Sequence, residues 1–183
     1  MFRLRSSAQN SRRPKRPPRY MREYAERMTE MGVEEFRRYA GPVLVGAGMV
    51  GQLEDKPGRR RRTHAMEEIK GEAIPVQSLL DRVWPLRPGE QSVDERFVAV
   101  GHSHDADVVI PDYSLSSLHA AFTKTRPVTV TDLRSLNGTF VNSVVVQPRS
   151  FVPLGNGDDV RIGRLVLRYH DGPGFLDALQ DLF

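Results

Sequence analysis

The sequence predicts a mainly β protein, a sandwich or barrel of short strands with an N-terminal helical extension and a short C-terminal helix. Three observations predict it. Short Val-rich runs, punctuated by turn residues, crowd the second half of the chain. No segment of helical length separates them, as the crossovers of a parallel sheet would require. Helical periodicity is confined to the stretches after residue 20 and after residue 172.

Residues 1–19 are rich in Arg, Ser and Pro, and Pro14, Pro17 and Pro18 deny them a helix; a basic disordered tail is expected. Met21, Tyr24, Ala25, Met28 and Met31 then recur at helical spacing between charged residues, and Gly32 is a natural stop. A second helical turn over Glu34–Tyr39 would end at Gly41-Pro42, so 20–40 is read as an amphipathic helical segment. Its Met- and Tyr-lined face suits intramolecular packing. Residues 41–73 combine one strand with a charged linker that holds Arg59-Arg60-Arg61-Arg62. Thr63 follows those arginines, the setting of a basophilic kinase site.

The strand-rich domain is placed at 74–171 and the closing helix at 172–183, where Phe175, Leu176, Leu179 and Leu182 recur. The strands expected are Ile74–Trp84, Phe97–Val100, Asp107–Ile110, His119–Lys124, Val128–Leu133, Thr139–Val146, Phe151–Leu154, Asp159–Ile162 and Leu165–Tyr169. Asn137-Gly138 is the residue pair of a tight hairpin turn. Asp132 and Asp158 lie beside turns, where carboxylates cap backbone N–H groups.

Charge is divided unevenly along the chain. Of 183 residues, 27 are basic and 23 acidic, for a net charge of +4. Residues 1–20 hold seven bases and no acid, so the remainder carries 20 bases against 23 acids, net −3. The tail would contact acidic partners, and specific nucleic-acid binding is not expected. Absence of cysteine excludes disulfides, Cys-ligated zinc and thiol catalysis. The longest apolar stretch, 42–51, is too short to span a bilayer, and no apolar signal core follows the N-terminus. A cytoplasmic protein without a membrane span is expected.

Two motifs suggest chemistry and fail on context. Gly46-Ala47-Gly48-Met49-Val50-Gly51 is a formal GxGxxG, but no dinucleotide-binding helix can follow it through Pro57-Gly58. Gly101-His102-Ser103-His104-Asp105 imitates a hydrolase elbow, but Asp105 stands where a small residue is needed and the chain returns to strand. The same run with Asp107 is at most half a metal site. No enzyme activity, metal or cofactor is expected.

A third pattern runs through the domain. Gly101-His102-Ser103, Asp107-Val108-Val109-Ile110, Ser116-Ser117-Leu118-His119-Ala120, Thr131-Asp132 through Ser135-Leu136-Asn137-Gly138-Thr139-Phe140-Val141-Asn142, and Leu154 through Gly157-Asp158 to Ile162-Gly163 follow in one order. In order and spacing these blocks resemble a forkhead-associated (FHA) domain over about residues 74–171. The resemblance implies an eleven-stranded β-sandwich whose loops bind phosphothreonine peptides. It implies a signalling adaptor whose partner is a phosphothreonine-containing protein, a Ser/Thr kinase or its substrate. Phosphopeptide-binding positions fall on His102, Ser116, Ser117, Leu136 and Asn137, and Arg134 is a candidate guanidinium in the same loop as Asn137. Gly101, His119, Gly138 and Asn142 fall on positions that support the binding loops.

Ser116 and Asn137 match the family pattern. His102 stands in place of an Arg, Ser117 in place of Arg or Lys, and Leu136 in place of Ser or Thr. A phosphothreonine carries about −1.5 to −2 charge and is ordinarily met by Arg. Each missing charge-assisted hydrogen bond costs about 1.5–3 kcal/mol, so weakened affinity is expected. His102 would supply charge only when protonated. The alternative is a phospho-independent scaffold that retains the fold.

Overall fold

In the computed structural model, residues 17, 19–51, 74–89, 92, 94 and 96–183 are described. The basic tail up to residue 16 and the linker with Arg59–Arg62 and Thr63 lie outside the described residues.

Among the described residues, eleven strands form two sheets, with short helices before and after them. The helices are α1 (Met21–Met31), α2 (Val33–Tyr39), α3 (Val76–Leu79) and α4 (Gly172–Gln180). The strands are β1 (Val43–Met49), β2 (Val83–Pro85), β3 (Phe97–Gly101), β4 (Val108–Val109), β5 (Ala120–Thr123), β6 (Thr129–Asp132), β7 (Thr139–Val141), β8 (Val144–Val145), β9 (Val152–Pro153), β10 (Asp159–Ile162) and β11 (Leu165–His170). One sheet has the order β2-β1-β11-β10-β7-β8 and the other β4-β3-β5-β6-β9. β3 and β4 pair in parallel; the other neighbouring strands within each sheet are antiparallel.

Period-two alternation explains why the strands pack as two layers. Val98, Val100, Phe122 and Val130 from one sheet meet Leu44, Val160, Ile162, Leu165 and Leu167 from the other in the central core. On β1 and β2 the alternate residues face outward: Val43, Val45 and Val83 join a second cluster with Met21, Ala25, Met28, Phe36, Phe175, Leu176 and Leu179. The helical extension therefore packs on the outer face of the six-stranded sheet. Tyr24 meets Phe175 edge-on at 5.3 Å between ring centroids. Glu23 caps α1 by accepting from the Arg19 and Tyr20 backbone N–H groups, and Asp171 caps α4 through Gly174 N at 2.8 Å. Leu182 lies beyond α4 and is exposed.

Four local expectations differ from the structure. Ile74–Trp84 is not one strand: Pro75 opens the short α3, Asp81 turns the chain at φ 60°, and only Val83–Pro85 pairs. β1 lies between β2 and β11, inside the sheet although it precedes residue 74. Gly46 serves packing, because a Cβ there would lie 1.9 Å from Leu79 O. Thr139–Val146 is a hairpin, β7 and β8, turning at Asn142 and Ser143 with φ 48° and 69°. Asn137-Gly138 is no hairpin turn; it carries the chain from β6 in one sheet to β7 in the other, with Gly138 at φ 84°.

Candidate functional site

Three connections meet at the candidate site: 102–107 between β3 and β4, 110–119 between β4 and β5, and 133–138 between β6 and β7. Backbone bonds join the first two, His102 N to Ser116 O at 3.1 Å and Ser103 N to Ser117 O at 3.3 Å. Gly101 permits this approach, since a Cβ there would sit 2.0 Å from Ser117 O.

His119 ties the second and third connections. Its side chain is fully buried, at 0 % exposure. Nδ1 accepts from Ser116 N at 3.0 Å, while Nε2 lies 3.1 Å from Gly138 O. Those partners call for the neutral Nε2–H tautomer, which donates to the carbonyl. Ser116 Oγ in turn accepts from Leu136 N at 3.0 Å, leaving its O–H to be donated to an arriving oxygen. Asn137 Nδ2 donates to Ser114 O at 2.7 Å, which leaves the side-chain carbonyl as an acceptor for a peptide N–H.

A deeper layer holds these loops. Asp132 accepts from Ser135 N, Ser135 Oγ and Thr139 Oγ1, and Ser135 Oγ accepts from Gly138 N. Asp112 accepts from Ser114 N at 3.0 Å and Ser114 Oγ at 2.7 Å. Its other oxygen meets Arg164 NH2 at 2.7 Å and Ile74 N at 3.2 Å. Burial pushes the Asp112 carboxyl up, but the Arg164 guanidinium and the Ser114 donors outweigh it and hold it below the ordinary carboxylate value. Gly163 allows the neighbouring loop to approach, because a Cβ there would lie 2.6 Å from Ser114 O. Asn142 serves the neighbouring turn, donating to Asp158 Oδ1 at 2.8 Å and accepting from Asp159 N at 3.0 Å.

The structure thus brings His102, Ser116, Ser117, Leu136 and Asn137 onto linked loops, with Gly101, His119 and Gly138 beneath them. Ser117 and Leu136 are exposed; His102, Ser116 and Asn137 are half-buried. His102 Nδ1 is buried without a hydrogen-bond partner. Arg134 lines a groove on the outer face of the five-stranded sheet with Phe97 and Phe151. Asp112, Ser114 and Arg164 do not stand out in the sequence. The Asp112-Tyr113-Ser114 spacing, a carboxylate two residues ahead of a serine, is the one local signal available. Asp107 is occupied structurally, accepting from Gly89 N at 2.9 Å and Ala99 N at 2.7 Å.

Residues 98–163 match the family model of the FHA domain. The sandwich is an FHA domain. Glycogen accumulation regulator GarA of Mycobacterium tuberculosis is 29 % identical over 120 residues, covering 65 % of this chain and 72 % of that protein. The oxoglutarate dehydrogenase inhibitor of Corynebacterium jeikeium is 35 % identical over 81 residues, 44 % of this chain and 54 % of its own length. Among solved structures, the FHA-2 domain from a Mycobacterium tuberculosis ABC transporter is 38 % identical, covering 48 % of this chain and 81 % of that one, with a TM-score of 0.37. No helix among the described residues is long and apolar enough to cross a membrane.

Proposed function

We propose that this chain is a non-enzymatic interaction module whose FHA domain reads phosphothreonine peptides in Ser/Thr-kinase signalling. The observation that carries the reading is the locked pair Ser116 and Asn137. Ser116 presents a hydroxyl whose acceptor side is occupied by Leu136 N, and Asn137 presents an amide carbonyl whose nitrogen is held by Ser114 O. The first suits a phosphate oxygen and the second a peptide backbone N–H. The FHA match over 98–163 supports the same reading, and the relatives' names, a regulator and an inhibitor, are in keeping with it. The partner is a phosphothreonine-containing protein, a Ser/Thr kinase or its substrate. The residues at 102, 117 and 136 weaken its affinity. Each missing charge-assisted hydrogen bond is worth about 1.5–3 kcal/mol, or roughly one to two decades.

A peptide array in which every phosphothreonine peptide is duplicated without phosphate tests this. Phosphate-dependent spots that vanish with Ser116→Ala are expected; spots indifferent to phosphate would overturn it. A phospho-independent scaffold is the second reading, favoured by the exposed side chains of Leu118, Leu133 and Leu136 around the same loops. Its mark is a pulldown whose partners survive phosphatase treatment.

A further inference from the structure

The outer face of the five-stranded sheet carries an open groove of about 530 Å³. Phe97, Ala121 and Thr131 line it, each on the opposite strand face from the core residues Val98, Phe122 and Val130. Phe151 stacks on Phe97 at 6.0 Å between centroids, with 20° between the ring planes. Leu133 and Phe151 are exposed, so together with Phe97 they present apolar surface to a concave site. Thr131 is only 5 % exposed, and its Oγ1 is buried with no hydrogen-bond partner. A hydroxyl in that position is ordinarily bonded.

Arg134 and Arg149 line the same groove. Both are exposed and both hold a left-handed backbone, φ 60° and 68°, a conformation that residues with a Cβ avoid. Two carboxylates line it: Asp94, already taken by Arg96 at 3.0 Å, and the buried Asp132, which accepts from Ser135 and Thr139. Neither Arg134 nor Arg149 pairs with a carboxylate among the described residues. The groove therefore combines an aromatic pair, an orphan hydroxyl and two uncompensated guanidiniums.

We propose that this groove is a second docking site for the phosphorylated partner, taking an acidic segment anchored by one large apolar side chain. The proposal rests on the phosphothreonine reading for the partner's first point of attachment. The anchor lies against Phe97, Phe151 and Leu133, its backbone bonds Thr131 Oγ1, and flanking Asp or Glu residues face Arg134 and Arg149. Both sites draw on one loop: Arg134 precedes Asn137 by three residues, so their Cα atoms are within about 11 Å at ~3.6 Å per residue. A linker of roughly 4–10 residues is long enough for one partner to reach both.

Three fluorescent peptides on the full chain test it by anisotropy. One carries phosphothreonine alone, one adds a flexible eight-residue linker and the segment Asp-Glu-Phe-Glu-Asp, and one is that segment alone. The extended peptide is expected to bind about tenfold tighter than the short one, because tethering raises the local concentration of the segment. Arg149→Glu combined with Phe151→Ser removes that gain and leaves the short peptide's affinity as it was; Thr131→Val reduces the gain. Equal affinity of short and extended peptides would overturn the groove while leaving the phosphothreonine reading intact. A gain that persists in the Arg149→Glu, Phe151→Ser protein would overturn it equally. No binding of the short peptide, with groove-dependent binding of the segment alone, would overturn the phosphothreonine attachment and not the groove.

Discussion

Replacing Asp112 by Asn separates two demands on one buried carboxylate. The Asp112 side chain is fully buried and Arg164 is 18 % exposed, with 2.7 Å between Oδ2 and NH2. One oxygen takes the two Ser114 donors and Arg164 Nε; the other takes Arg164 Nη2 and Ile74 N. Asn has one oxygen and one NH2, so either orientation sets donors against donors and leaves Arg164 without its counter-charge. Removing one partner of a buried pair costs about 3–5 kcal/mol, and the remaining exposure of Arg164 puts this case near the lower end. Urea unfolding reads it directly: at an m-value of about 2 kcal/mol/M the midpoint falls by about 1.5 M. A loss below about 1 kcal/mol would refute the reasoning. Because Ser114 O also holds Asn137 Nδ2, phosphopeptide affinity falls with it. Arg164→Met probes the same pair through pH. In the native protein the Asp112 carboxyl is held low, so its contribution is full above the ordinary carboxylate range and is lost as pH falls below it. Without Arg164 only the Ser114 donors oppose the effect of burial, so the loss of stability as pH falls is expected to shrink.

Other outcomes follow from close approaches and burial. Gly101→Ala, with its Cβ 2.0 Å from Ser117 O, is expected to destabilise by about 1–3 kcal/mol and to displace Ser116; unchanged urea midpoint and binding would contradict it. Burial first, then Arg168, holds His170 below the ordinary imidazole value. The unfolded chain therefore takes up a proton that the folded chain refuses, and stability climbs as pH rises through the ordinary imidazole range. His170→Gln flattens that slope in urea midpoints measured across the range. Burial, then Asp171, pushes the Tyr169 phenol up to about 12. Stability is expected to fall above about pH 10, where an unfolded tyrosine ionises and the folded one does not, and Tyr169→Phe removes that loss.

Local chemistry is legible in the sequence where the reason for a residue lies within a few positions. Val-rich alternation marks most of the strands, Asp132 and Asp158 are recognisable beside their turns, and the Met21, Ala25 and Met28 stripe is buried. Ser116, His119 and Asn137 stand out through their spacing in the family pattern. What stays hidden depends on partners far along the chain. β1 reads as an isolated apolar run until β11 pairs with it, from Val43 against His170 to Met49 against Leu165. Pro75 and the close approach of Leu79 O to Gly46 turn an apparent strand into a helical turn. Asp112 and Arg164 are 52 residues apart, and no periodicity announces an ion pair. Arg134 groups with Asn137 by loop proximity, yet it lines a groove with Phe97 and Phe151.

The central claim is that Ser116 and Asn137 are locked in place to receive a phosphothreonine. Isothermal titration of the full chain with one array-selected peptide, in phosphorylated and unphosphorylated form, tests it most directly. The phosphorylated form is expected to bind at least about tenfold tighter, a difference of about 1.4 kcal/mol, and Ser116→Ala is expected to abolish that difference. Equal affinities for the two forms would contradict it.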